Sequence, residues 1–223
     1  MKGASGLAPR LFAALGRFHD ACPWDHNAHY HRAILRRLPR RFGPALDVGC
    51  GSGDFARLLA GRAQSVTGTD TDPGIVAKAR AATPEAVPVA FTTADALDAE
   101  AAPGPYAAVT CVAVLHHLPL TEALVSFRAR LAPGGTLVVV GLYREETRAD
   151  RAVSLLAVVA HALVAWWKHP RGGRAARPAA MTARTRPATT SLAEIRRTAA
   201  RELPGVRVRR RLFWRYVLEW RRP

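Results

Sequence analysis

The chain has 223 residues, of which 49% are hydrophobic, and this composition excludes an intrinsically disordered or low-complexity protein. Its 33 basic and 17 acidic residues give a formal net charge of +16, which makes nucleic acid, an anionic membrane or an anionic substrate candidate partners. Three cysteines at unrelated spacings exclude a disulfide framework, and with no secretory pattern at the start of the chain they predict a cytoplasmic protein.

The first predicted helix covers residues 26–39, because apolar side chains recur there at helical spacing: Tyr30, Ile34, Leu35 and Leu38. It begins within a histidine-rich stretch, FHDACPWDHNAHYHR (18–32). The spacings do not suit a metal, since His29 and His31 would lie on nearly opposite sides of the helix, and no metal site is predicted. Polar and aromatic groups together suit a pocket wall instead, so the candidates for cofactor cover or substrate contact are Trp24, His26, Asn27, His29 and Tyr30. The alternative is that the aromatic residues are core and the histidines are solvated.

From residue 44 onward, short apolar runs alternate with helical segments of about ten residues. The predicted strands are 44–50, 65–70, 89–95, 106–117 and 136–143, the predicted helices are 54–63, 73–82 and 120–131, and PGG (133–135) is a predicted turn. This alternation favours a parallel sheet with right-handed crossovers and helices on both faces.

After residue 143 the alternation stops. The apolar stretch 152–167 is too short to span a membrane, so it predicts a buried helix or a cap over a pocket, with attachment to a membrane surface as the alternative. A loop rich in Arg, Gly, Pro and Thr (169–190) precedes a helix over 191–203, which Ser191 and Glu194 begin as a capping box. Residues 205–222 predict one or two closing strands, and their LFWRY segment (212–216) fits either strand packing or a stacking surface for bases.

The DVGCGSG segment places Gly49, Gly51 and Gly53 between a strand and a helix, where the backbone turns sharply and a ligand can approach. Asp70 ends the next strand, 21 residues after Gly49, and an acid there can accept hydrogen bonds from ribose hydroxyls. Asp54 stands where the dinucleotide fingerprint has its third glycine, and its charge would repel a pyrophosphate. We therefore expect a nucleoside ligand without phosphates, with a cationic group at its other end.

Over roughly residues 44–142 the chain resembles the class I S-adenosylmethionine-dependent methyltransferases. The matching segments are ALDVGCGSGDFA, VTGTDTDP, TTADAL, AVTCVAVLHHL and LAPGGTLVVVG. The whole chain also resembles a set of small bacterial methyltransferases with a W-x-H-N-x-H-Y-H start and a WRY end. The resemblance implies an α/β, Rossmann-like, seven-stranded and mostly parallel sheet with helices on both faces, an antiparallel last strand, and S-adenosyl-L-methionine as cofactor.

The same resemblance implies the cofactor-binding residues: Asp47, Gly49, Cys50, Gly51, Gly53, Asp70, Thr71, Asp95, Ala96, Cys111 and Val112. Asp47 would lie near the methionine ammonium, and Asp95 would meet the adenine amino group. Residues 1–223 then form one methyltransferase domain. Its predicted parts are an N-terminal helical lid segment (1–42), the cofactor-binding core (43–143), a helical insertion and loop (144–190), and a C-terminal helix with closing strands (191–223).

His116 and His117 follow the fourth strand, where either could take a proton from an acceptor or simply hold the loop. The expected reaction is methyl transfer to a small-molecule acceptor, such as a hydrophobic metabolite or natural product. LHHLPL replaces the Asn/Asp-Pro-Pro-aromatic motif, which argues against amino methylation of adenine or glutamine. The alternatives are an RNA or protein methyltransferase that uses the basic C-terminal region, and a non-catalytic cofactor-binding interaction module. The sequence leaves the oligomeric state open.

Overall fold

The computed structural model describes residues 26–168 and 186–223, whose strands form a seven-stranded sheet in the order β3-β2-β1-β4-β5-β7-β6. The strands are β1 (Ala45–Val48), β2 (Val66–Asp70), β3 (Val89–Thr93), β4 (Tyr106–Val112), β5 (Leu131–Leu142), β6 (Arg207–Arg211) and β7 (Arg215–Arg221). The helices are α1 (His26–Leu35), α2 (Asp54–Ala60), α3 (Pro73–Ala81), α4 (Leu120–Arg130), α5 (Arg148–Lys168) and α6 (Leu192–Glu202). Strands β1 to β5 pair in parallel, and β7 is antiparallel to both β5 and β6, so the predicted fold class is confirmed.

Two apolar clusters cover the two faces of the sheet. One contains side chains of α1, α2, α3 and α5, including Ile34, Phe55 and Val76. The other contains side chains of α4 and α6, including Phe127 and Ile195. The continuous apolar runs of β4 and β5 are explained by this arrangement, because side chains on both sides of these central strands are covered.

Two predicted boundaries in the centre of the chain are wrong. Strand β4 ends at Val112 rather than at residue 117, and Leu115–His117 form a 3₁₀ turn beyond it. The predicted turn at 133–135 lies inside β5. The register against β4 shifts there: Tyr106 pairs with Leu131, but Ala108, two residues later, pairs with Thr136. The glycines of this irregular segment exchange backbone hydrogen bonds with Arg222, so the closing strand holds them in the sheet.

The end of the chain forms a hairpin, with Leu212, Phe213 and Trp214 connecting β6 to β7. Phe213 and Trp214 have φ values of 56° and 58°, the left-handed conformation that tight hairpin turns require. The prediction of plain alternating strand residues over 212–216 is therefore wrong at this turn. Phe213 and Tyr216 are buried, which leaves their rings unavailable for stacking on bases.

Helix α5 is longer than the predicted 152–167, because a second capping box starts it earlier. Thr147 Oγ1 accepts from the backbone N–H of Asp150 at 3.1 Å, and Asp150 Oδ2 accepts from that of Thr147 at 2.8 Å. Asp150 Oδ1 also lies 2.6 Å from Arg210 Nη2 of β6. At the start of α6 the predicted cap is present, since Ser191 Oγ accepts from the N–H of Glu194. In the described ranges, no helix combines the length and apolarity needed to cross a membrane.

Candidate active site

The glycine loop after β1 is tied to the end of β2. The N–H groups of Gly49 and Cys50 both donate to the carbonyl oxygen of Thr69, at 2.7 and 2.9 Å. The next N–H, that of Gly51, donates to Asp70 Oδ2 at 3.0 Å. The parallel pairing of β1 and β2 thus fixes the loop and the acidic side chain relative to each other at the carboxyl edge of the sheet.

The three loop glycines meet different surroundings, although all have positive φ. A Cβ on Gly49 would lie 2.1 Å from Val114 Cγ2, and one on Gly53 would lie 2.6 Å from Phe91 Cζ. A Cβ on Gly51 would have no other atom within 4 Å. Packing therefore requires glycine at the first and third positions, whereas Gly51 faces the open side of the loop, where a ligand could approach the backbone.

Two predicted acidic residues lie on neighbouring loops of this edge. Asp70 Oδ1 accepts from the N–H of Asp72 at 3.1 Å, and the carbonyl of Asp70 accepts from the N–H of Ala94 at 3.0 Å. That second bond brings the loop after β3 beside the loop after β2. Asp95 is exposed there, with its Oδ1 accepting from the N–H of Leu97 at 2.8 Å. Thr71 is exposed as well, and Ala96 is buried.

Asp47 lies beneath the glycine loop and is only 2% exposed. Thr110, its register partner on β4, donates from Oγ1 to Asp47 Oδ1 at 2.8 Å. Burial raises the pKa of Asp47 to about 7, and the negative charge of Asp70 adds to the rise despite the Thr110 hydrogen bond. A carboxylate held this way is stabilised by a cationic group placed next to it.

Asp54 contributes less to the site than its position in the sequence suggests. Its two oxygens accept from Ser52 Oγ and from Arg57 Nη2, each at 2.5 Å. Because Arg57 balances the charge of Asp54, this side chain is not the main repulsion that a pyrophosphate would meet. The negative charge beside the loop comes from Asp70 instead, with the partly ionised Asp47 buried beneath it.

The residues predicted to act at the end of β4 differ in how far they are exposed to solvent. Cys111 is fully buried, and burial raises the pKa of its thiol to about 12, whereas Val112 is half-buried. Beyond it, the rings of His116 and His117 lie 3.9 Å apart. His116 is half-buried, and its pKa is lowered to about 4 by burial and by the positive charges of His117 and Arg215. His117 is exposed, and its pKa is lowered less, by partial burial and by Arg186.

Helix α1 connects the hairpin turn to the glycine-loop helix. Tyr30 is buried, as the apolar pattern predicts, and its hydroxyl donates to the carbonyl of Leu212 at 2.6 Å. His31 packs its ring 4.7 Å from that of Phe55 on α2, so the interpretation that all the histidines are solvated is wrong for His31. His29 is exposed, with its ring edge-on to Phe213 at 5.3 Å.

Asn27 also joins α1 to the sheet, since its Oδ1 accepts from Arg215 Nη2 at 3.0 Å. Trp24 and the side chain of His26 lie outside the described residues. Within those residues, no group of three or more His, Cys, Asp or Glu side chains is placed to hold a metal ion.

Two arginines that bear on this edge were missed by sequence reasoning. Arg130 ends α4 and is buried, and it donates to the carbonyl of Ala96 at 2.5 Å, beneath the loop that carries Asp95. Arg215 is buried at the start of β7, near His116. An arginine at a helix end or in an aromatic strand resembles a surface residue in sequence, so only the hydrogen bonds reveal these two.

A family model described as a methyltransferase domain matches residues 45–135. An uncharacterized methyltransferase of Mycobacterium tuberculosis is 32% identical to the chain over 205 residues, which cover 90% of this chain and 98% of that relative. The chain belongs to the class I S-adenosylmethionine-dependent methyltransferases.

Two further comparisons agree with this family. A ubiquinone biosynthesis O-methyltransferase of Sodalis glossinidius is 41% identical over 106 residues, which cover 46% of this methyltransferase and 43% of the relative. The crystal structure of the N-methyltransferase NodS from Bradyrhizobium japonicum, in complex with S-adenosyl-L-homocysteine, superposes with a TM-score of 0.59. That similarity covers 95% of this chain and 98% of NodS at 17% identity, so it shows a common fold.

The surroundings of Gly49 and Gly51 predict that the same substitution mainly affects stability at the first position and ligand binding at the second. Gly49→Ala forces a methyl group into Val114 and should lower the free energy of unfolding by about 3 kcal/mol. Gly51→Ala meets no atom, so its cost should be about 1 kcal/mol of left-handed backbone strain. Its methyl group should nevertheless weaken S-adenosylmethionine binding by about tenfold or more. Urea unfolding and calorimetric titration measure the two effects, and equal stability of both variants would contradict the packing argument.

Proposed function

We propose that this methyltransferase transfers the methyl group of S-adenosylmethionine to a small-molecule acceptor. When bound, the cofactor supplies an electrophilic methyl group on a positively charged sulfur. The proposal rests above all on the acidic carboxyl edge formed by Asp47, Asp70 and Asp95 in a chain of net charge +16. Such an edge suits a ligand with a cationic end and a ribose, and the residues present therefore fit this cofactor.

The contacts of each acidic residue support the role that the family resemblance implies for it. Asp70, oriented by the N–H groups of Gly51 and Asp72, keeps acceptor capacity on both oxygens for the ribose hydroxyls. Asp95 uses one oxygen for Leu97 and offers the other to the adenine amino group. Asp47 pairs electrostatically with the methionine ammonium. The glycine loop with Cys50, together with Thr71, Ala96 and Val112, forms the remaining walls, and the fully buried Cys111 lies behind Val112 on β4.

His117 is the better candidate for the base. A hydroxyl or amine acceptor loses a proton on methylation, and the group that takes it must be accessible and neutral at working pH. His117 is exposed, while the half-buried His116, with a pKa of about 4, is a much weaker base. The His116 ring lies against that of His117 and serves to position it.

Several observations favour a small acceptor over RNA. Two of the three aromatic residues in LFWRY are buried, and some C-terminal arginines hold the fold together: Arg222 donates to the carbonyl of Leu131, Arg221 to that of Gly134, and Arg215 to Asn27. One relative takes its name from ubiquinone biosynthesis, which supports a hydrophobic metabolite. Asn27 and Tyr30 on α1 and the described part of helix α5 are then the candidates for the lid of the pocket. The buried free thiols of Cys50 and Cys111 support a reducing cytoplasm.

Asp70→Ala should weaken S-adenosylmethionine binding by about 100-fold, because charge-assisted hydrogen bonds to the ribose are lost. Calorimetric titration of the purified chain measures this change. Asp98→Ala is a matched control, since Asp98 is an exposed loop aspartate whose Oδ1 accepts from the nearby backbone N–H groups of Glu100 and Ala101. Wild-type protein that does not bind the cofactor would overturn the proposal as a whole, whereas equal affinities of the two variants would remove Asp70 from the site.

Cofactor affinity should fall as the pH drops below 7. The pKa of Asp47 is about 7 in the free protein, and an adjacent ammonium would lower it, so binding below pH 7 requires this carboxyl to release a proton. The loss approaches about tenfold per pH unit until the pH falls below the pKa of the bound state. Titrations from pH 7.0 to about 5.5 measure the slope, below the range in which an α-amino group, with a pKa of about 7.7–8.0, deprotonates. Asp47→Asn should flatten the slope, and an unchanged slope would assign the titration to another group.

His117→Gln should reduce kcat by about 100-fold or more with little change in cofactor affinity, because proton transfer and not binding is lost. His116→Gln, which removes the weaker base, should cost less. Incubating cell extract with labelled methyl donor and separating the products identifies the acceptor and gives the assay for both variants. Full activity of His117→Gln would exclude it as the base, and label in RNA or protein rather than in the small-molecule fraction would contradict the proposed acceptor class.

A further inference from the structure

Helix α5 presents an apolar face to solvent. Leu155 and Leu156 are 68% and 62% exposed, the two highest values among the exposed large hydrophobic residues of the described chain. The opposite side of the helix is anchored, since Asp150 and Ala157 are buried. The outward face begins with the exposed side chains of Arg148 and Arg151, which lie about two turns and one turn before Leu155. Exposed leucines beside arginines do not stabilise the fold, and an exposed apolar patch bordered by charged residues is typical of an interaction site.

A basic cavity of about 740 Å³ lies beside this helix, between α1, α5 and the β6–β7 hairpin. Its lining includes four arginines and no acidic residue: Arg36, Arg37, Arg210 and Arg211. Arg37 pairs with Glu219 and Arg210 with Asp150, while the other two form no ion pair among the described residues. Val153 of α5 and the exposed Leu212 of the hairpin line the same cavity, which places apolar and cationic groups together on this side.

We propose that the outward face of α5 and the adjoining arginine-lined cavity bind the surface of an anionic lipid bilayer. In this arrangement Leu155 and Leu156 enter the boundary between headgroups and acyl chains, and Arg36, Arg148, Arg151 and Arg211 meet lipid phosphates. The charge complementarity selects this occupant: an apolar partner alone would not need the arginines, and a nucleic acid would not need the leucines. The helix lies on the membrane and does not cross it, in agreement with the finding on helix length above. This inference is independent of the acceptor.

Flotation of the full chain with lipid vesicles tests the proposal. Vesicles containing phosphatidylglycerol should bind at least about tenfold more protein than vesicles of phosphatidylcholine alone, and moderate salt should abolish the difference. The double variant Leu155→Glu, Leu156→Glu should reduce binding about tenfold or more. Val125→Glu is its control, because Val125 is an exposed apolar residue on α4, which packs on the other face of the sheet.

A second pair of variants separates a local surface from overall charge. Arg148→Gln with Arg151→Gln removes two charges from α5, and Arg196→Gln with Arg197→Gln removes the same charge from exposed positions on α6. Only the first pair should lose vesicle binding, by roughly tenfold. Equal losses in both pairs would show that net charge alone drives binding and would overturn the proposal. So would unchanged binding of the leucine variant, or a chain that binds no vesicles and forms a dimer that this variant dissociates.

Discussion

Three hydrogen bonds donated by backbone N–H groups of the loop after β1 hold this loop against the end of β2. The N–H groups of Gly49 and Cys50 share one carbonyl oxygen, and that of Gly51 reaches the carboxylate of Asp70. A ligand therefore meets an acidic group that is already oriented before binding, and little conformational entropy is lost at that point. The left-handed glycines are the condition for these contacts, because a side chain at Gly49 or Gly53 would collide with Val114 or Phe91.

The same loop lies above a carboxylate whose charged form is disfavoured by burial. Asp47 has one side-chain hydrogen bond, from Thr110, and Asp70 nearby opposes its ionisation. A bound cation would stabilise the ionised form of Asp47, which burial and Asp70 disfavour in the free protein. The electrostatic gain from a positively charged ligand is therefore largest at this carboxylate. The pairing register of β1 and β4 brings Asp47 beside Thr110. The fold itself thus places a buried acid where a cofactor with a cationic group is favoured.

Local patterns predicted most of the central sheet, since strand–helix alternation and the glycine loop depend on residues close in sequence. Failures occurred where distant contacts decide the structure. His116 and His117 lie beyond the strand, after Val114 packs against Gly49. Phe213, in the turn with Trp214, belongs to the same apolar cluster as residues of α1. Arg130 and His31 resembled surface residues until their partners, the carbonyl of Ala96 and the ring of Phe55, were known. Asp70 could be predicted from its spacing after the glycine loop, whereas Asp47 and Asp95 were predicted from the family resemblance.

The net charge of +16 is a poor guide to what this site binds, because charge is unevenly distributed along the sheet. Acidic side chains gather at the carboxyl ends of β1, β2 and β3, and arginines gather around β6, β7, α1 and α5. At physiological ionic strength, exposed charges farther apart than about 8 Å are largely screened from one another. The acidic edge therefore acts on a cofactor almost as it would in a neutral protein, while the arginine-rich half acts on its own partners. One chain can in this way offer a negative pocket to a cationic cofactor and a positive surface to an anionic membrane.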